Sequence, residues 1–191
     1  MRALRDLARR RAWRKLAAAP ARVPAGPMQW GEGFRALVLY DADDPEQARS
    51  AETLTLADFG VDDRLPGSAR APERLAWTAT VPEEAPGPGA VAPAPDVWHP
   101  GRLAFSGLPK PEVAAAVLAK AYDLVVNLRP RAFAPFDYLA ASANAHLRAI
   151  GHEEADGLRD GAPVYDIVIR APPGRFLPAL RAYLRALNPT R

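Results

Sequence analysis

Cysteine is absent from the 191 residues. Disulfides, thiolate metal sites, iron–sulfur clusters and cysteine nucleophiles are excluded together. Serine occurs only four times, and none stands in a G-x-S-x-G elbow. The three histidines, His99, His146 and His152, are spread out and lack H-E-x-x-H spacing. There is no G-x-x-x-x-G-K-[ST] loop. No G-x-G-x-x-G follows the first apolar run, where Asp41-Ala42-Asp43-Asp44 stands instead. Gly87-Pro88-Gly89 falls in a proline-rich stretch without a phosphate-binding context. No apolar run approaches the ~18 residues of a membrane span. The basic N-terminus lacks the apolar segment of a secretory signal, so a cytoplasmic location is expected.

Lysine is also scarce, so the positive charge is carried almost wholly by arginine. That charge is unevenly placed. Residues 1–22 hold eight cations (Arg2, Arg5, Arg9, Arg10, Arg11, Arg14, Lys15 and Arg22) against Asp6 alone, a net +7. The remaining 169 residues hold seventeen cations against twenty-one carboxylates, a net −4. A mildly acidic body with one strongly basic end points to a polyanionic partner. Residues 2–19 are good helix formers without Gly or Pro. At 100° per residue Leu4 and Leu7 fall on one side, Trp13 and Leu16 nearly opposite, and the cations all round. Without one clear apolar face, a polyanion groove suits the segment better than a membrane surface. Trp13 reads equally well as a base-stacking ring and as an anchor docking the helix on the body.

Pro20, Pro24, Gly26, Pro27, Gly31 and Gly33 mark a linker at 23–33, following a basic helix or tail at 1–22. A single domain over 34–188 follows. Phe34–Tyr40 is a short apolar run that predicts a buried strand. Asp43-Asp44-Pro45 predicts a helix start, with a helix over Glu46–Phe59 stopped by Gly60. Leu75–Val81 predicts a second strand. Residues 82–100, with six prolines and two glycines, predict an irregular loop. Leu103–Phe105 suggests a short strand.

The later half predicts helices over Pro111–Ala121, Pro135–Ala145 and Gly174–Leu187. It predicts strands over Tyr122–Leu128, His146–Ile150 and Val164–Ile169. Alternating strands and helices imply parallel pairing through right-handed crossovers. The expected fold is therefore α/β, a three-layer Rossmann-like sandwich with a mainly parallel sheet, preceded by the basic N-terminal helix. Its core should include Leu37, Val38, Leu39, Leu124, Val125, Val126, Ile167, Val168, Leu180 and Leu184.

Ligands of open α/β sheets bind beyond the carboxyl ends of the strands. That rule nominates Asp41, Asp43 and Asp44 after the first strand, and Asn127 and Arg129 after the Tyr122–Leu128 strand. Each has a simpler use: Asp43 or Asp44 as a helix cap, Asn127 as a turn former. His152-Glu153-Glu154 reads as a solvated turn rather than a metal site, and no metal or cofactor is expected.

Residues 102–187 carry a resemblance. Phe105-Ser106-Gly107-Leu108-Pro109-Lys110 and a helix are followed by Tyr122-Asp123-Leu124-Val125-Val126-Asn127-Leu128. Then come Tyr138-Leu139-Ala140-Ala141-Ser142-Ala143-Asn144-Ala145, Leu147-Arg148-Ala149-Ile150-Gly151 and Tyr165-Asp166-Ile167-Val168-Ile169. This order resembles a Bacteroidota family of small proteins known as a domain of unknown function, whose members typically begin with a short basic helix. The resemblance implies a fold and no catalytic residues. The segments YDLVVNL and YLAASANAHLRAIG are also similar to the N-terminal Rossmann-like domain of heptosyltransferase-type glycosyltransferases. Those enzymes hold the sugar nucleotide chiefly with a second domain, for which 191 residues leave no room. That likeness implies the fold and argues against the activity.

The expected function is a non-enzymatic accessory protein. It would attach to RNA, the ribosome included, or to another anionic surface, through Arg5, Arg9, Arg10, Arg11, Arg14 and Lys15. Peripheral contact with an anionic membrane ranks below RNA. The alternatives are a small nucleotide-binding protein or enzyme using the strand ends, and a structural interaction domain.

Overall fold

A computed structural model describes residues 2–17, 23–28, 30–31, 33–62, 64, 70–79, 96–131, 133–151, 158–159, 162–171 and 173–188. In chain order the elements are α1 (Arg2–Ala17), β1 (Ala36–Asp41), α2 (Pro45–Thr53), β2 (Glu73–Trp77), β3 (Asp96–Trp98), α3 (Pro111–Leu118) and β4 (Ala121–Asn127). They continue with α4 (Ala134–Ser142), β5 (Asn144–Gly151), β6 (Leu158–Arg159), β7 (Ala162–Pro163), β8 (Ile167–Ile169) and α5 (Pro173–Leu187). Six strands form one all-parallel sheet in the order β3-β2-β1-β4-β5-β8. The two-residue strands β6 and β7 pair antiparallel outside it. The expected α/β architecture is therefore present.

The apolar runs of β1 and β4 are continuous because both faces of a parallel sheet are covered. Ala36, Val38, Tyr40, Leu124 and Val126 pack with Ala51, Leu54, Phe59, Phe176, Leu180 and Leu184, which belong to the α2 and α5 side. Leu37, Leu39 and Val125 pack with Val117, Phe136, Leu139 and Ala140 of the α3 and α4 side. These are the three layers. Helix α1 lies outside them, against α4, where the rings of Trp13 and Tyr138 meet edge to face.

Several boundaries differ from expectation. The helix expected over Glu46–Phe59 ends at Thr53, and Leu56–Phe59 forms a separate 3₁₀ turn. Asp58 drives the break: its carboxylate accepts from the Thr55 backbone N–H at 2.8 Å and from the Thr55 hydroxyl at 3.0 Å, starting a new turn. The expected loop at 82–100 contains strand β3, which pairs with β2 through Asp96–Trp98 and buries Trp98 completely. Residues 82–95 lie outside the described residues. Leu103–Phe105 is not a strand; only Leu103 bridges to Pro109, across a tight turn. The second strand runs over Glu73–Trp77, and Val81 lies outside the described residues.

Val168 is 44% exposed rather than part of the core. It lies on β8, the last strand of the sheet, and points away from the face on which Ile167 and Ile169 meet the α5 side. The end of the expected linker is packed: Trp30 stacks on Phe34 at 5.6 Å.

Candidate functional site

The strand order 3-2-1-4-5-8 reverses between β1 and β4, which is the topological switch point where open α/β sheets bind ligands. The nominated residues converge there. Asp41 ends β1 and Asn127 ends β4, and Arg129 reaches back so that its Nη2 lies 3.0 Å from the Asp41 carboxylate. The Arg129 guanidinium also stacks over Phe133, 4.1 Å from the ring centroid. Asn127 accepts from the Arg129 backbone N–H at 3.1 Å and donates to the Tyr165 hydroxyl at 2.8 Å. Tyr165 in turn donates to Asp137 at 2.9 Å. Asn127, Tyr165 and Asp137 are all buried.

The acids of the Asp41–Asp44 turn are equally engaged. Asp43 accepts from the Thr78 hydroxyl at 2.8 Å and the Ala79 N–H at 2.6 Å, tying the ends of β1 and β2 together. Asp44 caps α2, accepting from the N–H groups of Glu46 and Gln47 and from the Gln47 side-chain amide. Burial pushes the Asp44 carboxyl up, but the hydrogen bonds from Gln47 and Glu46, with Arg129 nearby, hold it below its ordinary value. A Rossmann nucleotide fold offers this helix N-terminus to phosphate. Here the position is filled by the protein's own carboxylate.

The space beside it is small. A cleft between Asp44, Gln47, Ser50, Leu128, Phe176 and Leu177 holds about 60 Å³. That is small against the ~300–1,000 Å³ of ordinary ligand pockets. Gly151, at the end of β5, lets the Phe176 ring pack directly on the strand: a Cβ there would stand 2.6 Å from that ring. Among the described residues no three His, Asp or Glu side chains are grouped as a metal site requires. His99 accepts from the Gly101 N–H through Nδ1, a local cap, and His152 lies outside the described residues.

The second candidate is α1. Trp13 is only 7% exposed, so its ring is an anchor and not a free stacking surface. Arg9 donates through Nε to the Ser106 carbonyl at 3.3 Å. The Arg5 guanidinium lies against Gly107, whose φ of +75° and lack of a side chain let it approach. Arg5, Arg10, Arg11 and Arg14 are exposed, and none forms an ion pair among the described residues. Lys15 belongs to the last turn of the helix; its side chain lies outside the described residues.

Two polar clusters escaped the sequence reading. Arg148 is buried and caps the end of α4, donating to the carbonyls of Ala140 at 2.8 Å and Ala143 at 2.9 Å. Glu73 gathers Arg35 and Lys120, each at 2.8 Å, and the Tyr122 hydroxyl at 3.2 Å. Both clusters tie secondary structure together. Compared with known proteins, the chain matches no family model, no curated protein and no solved structure.

Proposed function

We propose that this is a non-enzymatic attachment protein that holds a phosphate-bearing surface, RNA among such surfaces, through the exposed arginines of α1. The observation that carries this reading is the anchored helix. Trp13 fixes one side of α1 to α4, while Arg10, Arg11 and Arg14 project from the rest with no acidic partner among the described residues. Desolvated charge without a partner is costly. Cations left in solvent along one helix are instead free to release counterions from a polyanion.

The switch point supports the same reading by its occupancy. Asp41, Asp43, Asp44, Asn127 and Arg129 are bonded to one another or to neighbouring segments of the fold, and the cleft beside them holds about 60 Å³. A nucleotide-binding role would require those bonds to be exchanged for ligand contacts.

The test is affinity purification of the full chain from its native cell at low and high salt, with and without RNase. Salt-sensitive recovery of an anionic partner supports attachment. RNase sensitivity identifies that partner as RNA. Salt-insensitive recovery of one protein partner would instead indicate an interaction domain.

A further inference from the structure

The geometry points to an anionic lipid bilayer as the surface that α1 holds, with the helix lying in the interface; this rests on the attachment role proposed above. The helix carries two opposed apolar sides. One, through Trp13, is spent on docking against Tyr138. The other is free: Leu4 is 62% and Leu7 58% exposed. At 100° per residue Leu4, Leu7, Arg11 and Arg14 fall within about 80° of one another. The outward side of the docked helix is therefore a mixed leucine–arginine face. The even distribution of charge seen in the isolated segment no longer describes what is presented to a partner.

A further exposed apolar side chain stands in a turn packed against the Arg5 and Arg9 side of α1. Phe105, 58% exposed, sits in the Ala104–Gly107 turn that Arg5 and Arg9 hold against α1. Leu4 and Leu7, on the outward face, are among the most exposed large apolar side chains of the described residues. Their concentration beside unpaired arginines is what distinguishes the possible surfaces. Leucine gains nothing from a phosphate-lined groove, whereas an acyl layer removes it from water. Arginine stems lie along the same apolar boundary while their guanidinium groups reach headgroup phosphates. With 16 residues, α1 fits a helix lying on the bilayer, and no helix among the described residues is long and apolar enough to cross one.

The experiment compares full-length protein with the Leu4→Ser/Leu7→Ser variant. Both are tested on phosphatidylcholine vesicles containing one-third phosphatidylglycerol, on pure phosphatidylcholine vesicles, and on a structured RNA at equal phosphate concentration. Both positions are exposed, so circular dichroism should show an unchanged fold. We expect sedimentation with the anionic vesicles but not the neutral ones. The double variant should bind the anionic vesicles about tenfold or more weakly and RNA within about twofold of wild type. Equal vesicle binding by the two proteins would overturn the bilayer assignment. So would wild-type binding to RNA without vesicles, which would leave the attachment role standing. Binding to neither surface at low salt would remove both.

Discussion

The indole of Trp13 meets the ring of Tyr138 edge to face, with centroids 5.9 Å apart and planes at 80°. This contact makes a basic segment into a fixed part of the protein surface. The indole Nε1 is buried without a hydrogen-bond partner among the described residues, so packing rather than polarity holds the anchor. Trp13→Ala removes about 3 kcal/mol of such packing and should release α1. Trypsin should then cut at Arg9–Arg11 much sooner while the sheet domain stays intact. Trp13→Phe should retain most of the protection. Equal cleavage of wild type and Trp13→Ala would show that the contact does not hold the helix.

The Asp41–Arg129 pair should couple energetically. Both side chains are mostly buried, and Arg129 is further held over Phe133. Removing either partner leaves the other charge poorly compensated, so Asp41→Asn or Arg129→Met should each cost about 1–3 kcal/mol. The double variant should cost less than their sum, with a coupling of about 1 kcal/mol in denaturant unfolding. Full additivity would show that the pair contributes nothing to closing the switch point. Nucleotides added to wild type should leave the thermal midpoint unchanged, whereas a concentration-dependent rise would favour a ligand site there.

How far the sequence discloses this site depends on which link is asked for. The crevice rule brought Asp41, Asp43, Asn127 and Arg129 to one end of the sheet, and they are there. That Arg129 returns to Asp41, eighty-eight residues earlier, depends on the β1–β4 adjacency, which local pattern does not contain. Strand β3 was hidden because three residues among prolines carry no measurable period. Arg148 stands in a strand, where local pattern assigns it no partner; only the chain reversal after α4 turns it onto the Ala140 and Ala143 carbonyls. The leucines of α1 were visible, but their availability depends on which side of the helix docks.

Strand position should govern the cost of losing methyl groups. Val125 lies at the centre of the sheet and is fully buried, whereas Val168 is exposed on β8. Val125→Ala should cost roughly 1–3 kcal/mol through lost burial and a residual cavity. Val168→Ala should stay within about 0.5 kcal/mol of wild type. Similar unfolding midpoints for the two variants would contradict the sheet order.

Acid should weaken the fold through Glu73 and Asp44. Burial raises the Glu73 carboxyl, but the hydrogen bonds and charges of Lys120 and Arg35 outweigh it and leave it below its ordinary 4.5. Asp44 is likewise below its ordinary 3.8. A depressed folded-state value means that the unfolded chain takes up the proton first. The stabilisation is therefore complete above the ordinary values and is lost as pH falls through the folded ones. Melting temperatures should be level near neutrality and decline below about pH 4.5. Glu73→Gln should have a shallower acid decline than wild type, and an unchanged profile would dissociate Glu73 from it.

The attachment role is tested most directly by the salt dependence of binding for the full chain and for Arg10→Gln/Arg11→Gln/Arg14→Gln. Both proteins are titrated against a structured RNA and against phosphatidylglycerol-containing vesicles. The three arginines are exposed, so the variant should fold as wild type does. Wild type should bind at least one of the two surfaces, with affinity falling steeply as salt rises; on RNA three phosphate contacts correspond to a log–log slope of about −2 to −3. The triple variant should lose most of that affinity and nearly all of the slope. Wild-type binding to neither surface, or equal affinity and slope for the two proteins, would contradict attachment through α1.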